Sequence, residues 1–580
     1  MTVLPNDKSK PPWFIRSRSY LITAGAVLVA FVLLQMWRPY FFLTDDNMSG
    51  ALPGFADLGN TLRQGKIPRT TEGLYAGTYD MWHDPGSLTL LFPTHIAAML
   101  LATTPFRLAA IDAISLVNLL VGAIAMLACV KTFARRFNRV VPDWVAGFLA
   151  VSYVTSIYSL AIGSSWFNFL GNQAALPIVT LGFVATRRRS GIALVAAGML
   201  YSLVGGHLAP FCFGAVFLGI FSVCLSAMEK KWEPIWRYAA GSILAILIVS
   251  PALIGLLSGF LGSSRNLTNT TATIVENNLP FPALFLGATI GIESIGPWNF
   301  QPVLGSLAEV ALPLSFSAAA ICFLAVLGTI MKFRMLDWIL VGMLLLVALF
   351  LHRPDWLQRI LSVIPFFRSL RWPMREAMLF LFFSHLLVGL GWPRLPRLLR
   401  SVLPPISAAA FAIPLFLMPS PTLNRFPVDR ALLLDGRAAR VWQEVRALLP
   451  EASDCYVVPL LDRELYLGLG RRRFTSKAPH TLMGGYNYPV LFGMKSSTGY
   501  TMPGFAQKFR GHVPALWIGY FSPARFSEEE LSDPHLLFTA MRSVEPVIIE
   551  YQLGSKRVEA SFPDGLESQP VVRAVRSPAR

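Results

Sequence analysis

The chain has 580 residues, more than one ordinary domain needs; 54% are hydrophobic and only 14% charged, and the mean hydropathy is +0.52. Soluble domains carry about 25% charged residues, so the composition excludes an ordinary soluble protein and points to one that crosses a membrane repeatedly. The net charge of +17 sits in short basic clusters between apolar runs, which is the pattern of membrane topology and not of a nucleic-acid footprint, so no nucleic-acid partner is expected.

Lys8, Lys10, Arg16 and Arg18 precede the first apolar run, Tyr20 to Trp37. That run ends Gln-Met-Trp-Arg-Pro, without the small residues of a cleavage site, and reads as an uncleaved first span with a cytoplasmic N-terminus. Further runs of spanning length lie near 109–130, 144–162, 167–186, 191–206, 209–228, 238–261, 309–331, 335–351, 377–392 and 402–419. Another run, 88–104, contains Pro93 and His95 and follows Asp84-Pro85-Gly86. If it spans, the cluster Lys131, Arg135, Arg136 and Arg139 lies outside the cell; if it rests on the outer interface, that cluster is cytoplasmic. The second arrangement also puts Arg187-Arg188-Arg189, Lys230-Lys231, Lys332 with Arg334, and Arg394, Arg397 and Arg400 in the cytoplasm. The intervening loops near 163–166 and 205–208 carry no Lys or Arg, and 263–300 carries only Arg265. Eleven spans, an interfacial 88–104 helix and an external C-terminus follow.

After Met418, Pro419-Ser420-Pro421 opens a segment of ordinary charge content. Residues 437–449 have helical spacing, Cys455–Leu461 and Val547–Leu553 read as strands, and Gly484-Gly485-Tyr486-Asn487 as a turn. The expectation is a small extracytoplasmic α/β domain over 420–580 with a flexible tail after about Ser561. Four of the five cysteines (Cys129, Cys212, Cys224, Cys322, Cys455) lie in apolar runs without CxxC spacing, so neither a disulfide framework nor a zinc site is expected.

Candidate chemistry gathers in two outward loops. The first, 38–87, opens on Phe41-Phe42-Leu43-Thr44-Asp45-Asp46-Asn47 and also holds Asp57, Glu72, Asp80, His83 and Asp84. Adjacent carboxylates at the edge of a bilayer are costly unless they face water, protein or a ligand. Residues 49–65 have amphipathic helical spacing, so the pair is read either as a functional site or as that helix's N-cap. The second loop, 352–376, carries Arg353, Arg359, Arg368, Arg371 and Arg375 against only Asp355 and Glu376. Arginine on the translocated side runs against insertion preference. It suits a bound phosphate, whose oxygens a guanidinium fork matches, or an interfacial helix touching lipid headgroups. Asp112, His207, Glu309 and His385 in the apolar runs read as satisfying local hydrogen bonds.

The motifs Leu43-Thr44-Asp45-Asp46-Asn47, Leu52-Pro53-Gly54-Phe55-Ala56-Asp57-Leu58-Gly59, Asp84-Pro85-Gly86 through Phe92-Pro93, and Phe366-Phe367-Arg368-Ser369-Leu370-Arg371-Trp372-Pro373-Met374-Arg375 together resemble the GT-C superfamily of membrane glycosyltransferases. The nearest branch is the YfhO-like bacterial membrane proteins, and the likeness covers about residues 1–419. It implies a GT-C-like fold in the bacterial cytoplasmic membrane, a polyprenyl-phosphate-linked sugar as donor, and an envelope glycan or lipid as acceptor. It also implies a catalytic carboxylate from the first outward loop, here Asp45 or Asp46. Phosphate and substrate contacts then fall to Arg353, Arg368, Arg371 and Arg375, with Asp80, His83 and Asp84 nearby. The superfamily's Asp-x-Asp triplet is absent, which leaves open whether a divalent cation takes part; Asp80, His83 and Asp84 offer it oxygen and nitrogen ligands, and Asp84-Pro85-Gly86 is equally an ordinary turn. A transporter for a lipid-linked saccharide is the alternative, and it would place ionisable residues near mid-membrane.

Overall fold

The computed structural model describes residues 13–43, 47–68, 73, 92–185, 187–261, 333–363, 377–395, 397–398, 400–402, 405, 456–459, 488–493, 495–496, 514–518, 548–552, 559–560 and 572–573. Their helices are Trp13–Trp37 (α1), Leu52–Arg63 (α2, entered through a π-helical turn at Asn47–Ala51), Pro93–Ala102 (α3), Ala109–Arg136 (α4), Asp143–Val154 (α5), Ile157–Ser165 (α6) and Asn168–Val184 (α7). There follow Arg188–Val204 (α8), Leu208–Glu229 (α9), Glu233–Leu261 (α10), Met335–His352 (α11), Asp355–Val363 (α12), Ala377–Gly391 (α13) and Tyr488–Leu491 (α14).

Five of these regions, around α1, α4, α9, α10 and α13, are long and apolar enough to cross a membrane. The number is seven if two bent pairs, α5–α6 (40°) and α11–α12 (84°), each count as one span. The protein is a helical membrane protein. Its exterior agrees: α1 exposes Leu21, Ile22, Val29, Val32, Leu33 and Met36, and α10 exposes Ile243, Leu247, Ile248 and Ile254. Apolar surface on this scale is unfavourable in water but neutral against lipid tails. By contrast, α13 is buried along its whole length. The 309–331 run and nearly all of 402–419 lie outside the described residues, so the expected eleven spans reduce to five to seven among the described residues.

Side-chain contacts sort the helix ends into two sets. The Arg136 fork holds Glu229 at 2.7 and 2.5 Å and donates to the Val184 carbonyl at 2.7 Å, joining the ends of α4, α7 and α9. Asp337, with 0% exposure, accepts from Arg139 at 2.9 Å, from the Arg394 fork at 2.7 Å on each oxygen, and from the Arg334 amide at 2.8 Å. Lys131 reaches Asp143 at 2.8 Å and Ser19 at 3.1 Å, bringing in the starts of α1 and α5. Arg237 pairs with Glu233 at 3.0 Å and donates to the Ala185 carbonyl. The clusters at 131–139, 187–189, 230–231, 334 and 394 therefore occupy one end of the bundle, the basic end. The cluster at 131–139 belongs with the others because α3 does not cross: ten residues at 1.5 Å each make only about 15 Å, half the hydrocarbon thickness.

Residue packing fixes the layers between the two ends. A side chain on Gly182 would lie 2.6 Å from the Val195 amide and 2.7 Å from the Gly191 carbonyl, so α7 and α8 approach backbone to backbone. Aromatic contacts, such as Phe221 to Phe383 at 5.3 Å and Phe217 to Phe350 at 5.2 Å, tie α9 to α13 and α11. Beyond residue 420, Tyr456–Pro459 (β1), Lys495–Ser496 (β2), Pro514–Ile518 (β3) and Ile548–Gln552 (β4) pair in the order β2-β1-β3-β4. The β1–β2 and β1–β3 pairs are parallel and β3–β4 is antiparallel. The helical stretch at 437–449 and the turn at 484–487 lie outside the described residues.

Candidate functional site

The candidate site is at the end of the bundle away from the basic cluster, where α1 gives way to the first loop. Gln35, in the last turns of α1, accepts from the Tyr40 amide at 2.7 Å and donates to Asp112 at 2.8 Å. This holds Tyr40 in a left-handed conformation (φ 56°), uncommon for a residue with a side chain. Asp112, near the start of α4, also accepts from the Phe42 amide at 3.0 Å, and Phe41, Phe42 and Leu43 are fully buried. Asp112 thus has the structural hydrogen-bonding role its sequence suggests, with partners 77 and 70 residues earlier in the chain.

Four residues on from Leu43, Asn47 is almost fully buried and makes a second anchor. Its amide nitrogen donates to the carbonyls of Phe42 (2.8 Å), Gly163 (2.8 Å) and Ser164 (2.9 Å), and its oxygen accepts from the Phe167 amide at 3.0 Å. Three acceptors on one atom and a donor on the other fix the amide's orientation. Thr44, Asp45 and Asp46 stand in the chain between these two anchors and lie outside the described residues. In sequence Asp45 and Asp46 stand directly before the helical stretch that begins at Asn47, and Ala51, the residue before Leu52, makes no side-chain cap to α2.

Around the second anchor is an aromatic and amide layer. His95 of α3 is fully buried among Phe55 (6.2 Å between ring centroids), Phe92 (5.3 Å) and Phe167 (5.7 Å). Its Nε2 has no hydrogen-bond partner among the described residues, and its Nδ1 is 3.5 Å from the Thr94 hydroxyl. Burial pushes its pKa down to about 3, so the ring is neutral at physiological pH. Asn172 accepts from the His207 amide at 2.6 Å and donates to Ser202, joining α7 to the α8–α9 turn. On α2, Asp57 is buried and accepts from the Gly73 amide at 2.8 Å. Arg107, in the turn before α4, donates to the Leu491 carbonyl at 2.6 Å, and burial lowers its pKa from the ordinary value.

Of the arginine set, Arg353 is described. It ends α11 in a left-handed conformation (φ 43°), is only 1% exposed, and its guanidinium lies 5.7 Å from the Phe213 ring of α9. Since α11 starts at the basic end on Asp337 and runs 18 residues, Arg353 is at the opposite end, with the anchors of the acidic pair. After the 84° bend, α12 exposes Trp356, Arg359, Ile360 and Val363 and buries Leu357, Gln358 and Leu361, the pattern of a helix lying along an interface. Because α13 ends at the basic end on Arg394, it starts at this same end. The stretch 364–376 is thus entered and left at the acidic-pair end. Arg368, Arg371 and Arg375 within it, and Asp80, His83 and Asp84 of the first loop, lie outside the described residues. Among the described residues no group of three His, Cys, Asp or Glu side chains is placed to hold a metal ion.

In the sequence Asn47 reads only as a neighbour of the acids, and Gln35 and Arg107 do not read as anchors; a polar residue in the last turns of an apolar run was the available signal. Within α13, His385 follows expectation: its Nδ1 donates to the Leu381 carbonyl at 2.7 Å, and its Nε2 accepts from Ser152 at 3.3 Å. No protein-family model matches the chain, and no curated protein matches it.

Proposed function

We propose that the protein is a membrane glycosyltransferase of GT-C type, with eleven spans and an extracytoplasmic C-terminal α/β domain, in a bacterial cytoplasmic membrane. It moves a sugar from a polyprenyl-phosphate donor to an envelope glycan or lipid acceptor on the outer face. One observation carries the reading: the segment holding Asp45 and Asp46 and the segment holding Arg368, Arg371 and Arg375 both leave and rejoin the described bundle at the same end, opposite the basic end. In this reading, acids and phosphate-matching cations from loops more than 300 positions apart serve one reaction.

In this reading one carboxylate of the pair takes the proton of the acceptor hydroxyl as its oxygen bonds to the anomeric carbon. The bond from that carbon to the lipid phosphate breaks, and the phosphate leaves as an anion. Arg371 and Arg375 stabilise the charge it gains, with Arg353 and Arg368 holding the donor. The second carboxylate orients a sugar hydroxyl. The test is transfer from radiolabelled polyprenyl-phosphate sugars in membranes containing the protein. Asp45→Asn or Asp46→Asn, whichever removes the base, lowers turnover about 10²–10⁴-fold at unchanged protein level; full activity in both variants refutes the assignment.

A second reading, transport of a lipid-linked saccharide, draws support from the break between α5 and α6, since discontinuous helices line many transport sites. Here the break is closed by neutral groups: Ser156 accepts from the Ser159 amide at 3.2 Å, and Gln173 donates to the Tyr153 carbonyl at 2.8 Å and to Ser159 at 2.7 Å. Label that crosses sealed vesicles without entering a covalent product would favour transport over transfer.

A further inference from the structure

Three elements far apart in sequence meet over α2. The Gly73 amide donates to Asp57 of α2, and a side chain at Gly73 would lie 2.7 Å from the Asp57 carboxylate and 3.0 Å from Val490. Val490 and Leu491, in the short helix α14, are buried, and Leu491 belongs to the main apolar core of the bundle. Arg107, from the α3–α4 turn, closes the group: it donates to the Leu491 carbonyl across 384 positions and lies 5.5 Å from the Phe492 ring. A charged donor on a backbone carbonyl, backed by an aromatic face, makes a strong and directional attachment.

We infer that residues 490–492 are a latch by which the C-terminal region grips the first inter-span loop, with Arg107 as its bolt and Gly73 as the close-contact point between them. The latch fixes α2 and Gly73 from above while Asp112 and Asn47 fix the chain on either side of the acidic pair. The C-terminal region is therefore a working part of the loop's geometry and not a separate appendage. Gly at position 73 follows from the fit, because a larger side chain would displace Asp57 or Val490.

Geometry is tested directly, without reference to chemistry, in the full chain in membranes with Cys455 replaced by Ser. In the double variant Gly73→Cys/Val490→Cys the two Cβ atoms come within about 4.5 Å, inside disulfide range. Mild oxidation should join them, so that cleavage at a protease site inserted after Pro421 leaves the two fragments together until a reductant is added. In the single variant Val490→Cys, whose smaller side chain keeps the fit at this buried position, a membrane-impermeant maleimide should react slowly. Adding Arg107→Ala should speed that reaction about tenfold or more, the factor carried by a charge-assisted hydrogen bond, and Arg107→Lys, which still donates to the carbonyl, should restore most of the protection. No disulfide in a folded double variant, or equal maleimide rates with and without the Arg107→Ala change, overturns the latch. Such a failure leaves the transferase reading standing, because neither readout depends on activity. The consequence that latch variants also slow sugar transfer rests on that reading and is measured separately.

Discussion

Replacing Asn47 tests the framework around the acidic pair most sharply. Its amide nitrogen faces three carbonyl oxygens and its oxygen faces one N–H, all buried. Two hydrogens shared among three carbonyls make the equivalent of two full bonds, and the Phe167 amide adds a third. At about 1 kcal/mol net for each bond, plus about 1–2 kcal/mol for leaving the Phe167 N–H unpaired, Asn47→Ala should cost roughly 4 kcal/mol. Asn47→Asp is the decisive partner variant. It keeps the size and the acceptor for Phe167 but turns a second oxygen toward three carbonyls, so repulsion and burial of charge make it worse than Ala at neutral pH. Protonation would relieve one of those clashes, so the Asp variant alone should gain stability on moderate acidification. The assay is thermal unfolding of purified protein in detergent at neutral and mildly acidic pH, with membrane expression as a check. Two variants within about 0.5 kcal/mol of wild type, or Asp more stable than Ala at neutral pH, would refute the anchoring role.

Other variants probe the remaining contacts. Asp337→Ala leaves the Arg139 and Arg394 guanidinium groups uncompensated inside the basic end and should cost about 3–5 kcal/mol, read as lost thermal stability in detergent. His95 has its pKa lowered by burial from 6.5 to about 3, so between those values the unfolded chain binds a proton that the folded one does not. Its contribution is whole above pH 6.5 and is lost as pH falls toward 3, at up to about 1.4 kcal/mol per pH unit, and a stability–pH profile should flatten in His95→Phe. Arg371→Lys and Arg375→Lys should weaken donor binding and slow turnover if these arginines fork a phosphate; wild-type values in both would make the loop a headgroup anchor, where each charge is worth about 1 kcal/mol.

The sequence carried the membrane class and the sorting of basic clusters, because both depend on composition and on charges local in the chain. Pro93 marked the start of α3, where its missing N–H is harmless, and the helix that follows is short, as the interfacial reading of 88–104 requires. What stayed hidden depends on partners remote in sequence. Arg107 between two apolar runs shows nothing by itself, since its partner stands 384 positions later. Asp112 reads as a hydrogen-bonded polar residue, and only the fold shows that Gln35 and Phe42 are its partners. Helix α13 gave no face to read because it is apolar all round, and its burial on every side is decided by its neighbours and not by its periodicity.

The described acids are divided between the two ends of the bundle. At the basic end Asp143, Glu229, Glu233 and Asp337 each hold a Lys or Arg within 3.0 Å. Of these four, Asp337 is fully buried, while Asp143 and Glu233 keep 61% of their side-chain surface exposed. In the proposed transfer the general base comes from the acidic pair, and the bundle's opposite end is where the chain enters and leaves both loops that concentrate charge in the sequence. There two described acids serve as struts, Asp112 on Phe42 and Asp57 on Gly73, while Asp355 is exposed at the start of α12. Asp112 braces the backbone leading to Asp45 and Asp46, and Asp57 braces a later part of the same loop. A buried carboxylate is a costlier way to close α1 than an apolar turn, and under the proposed function its role is to hold the chain that carries the two carboxylates.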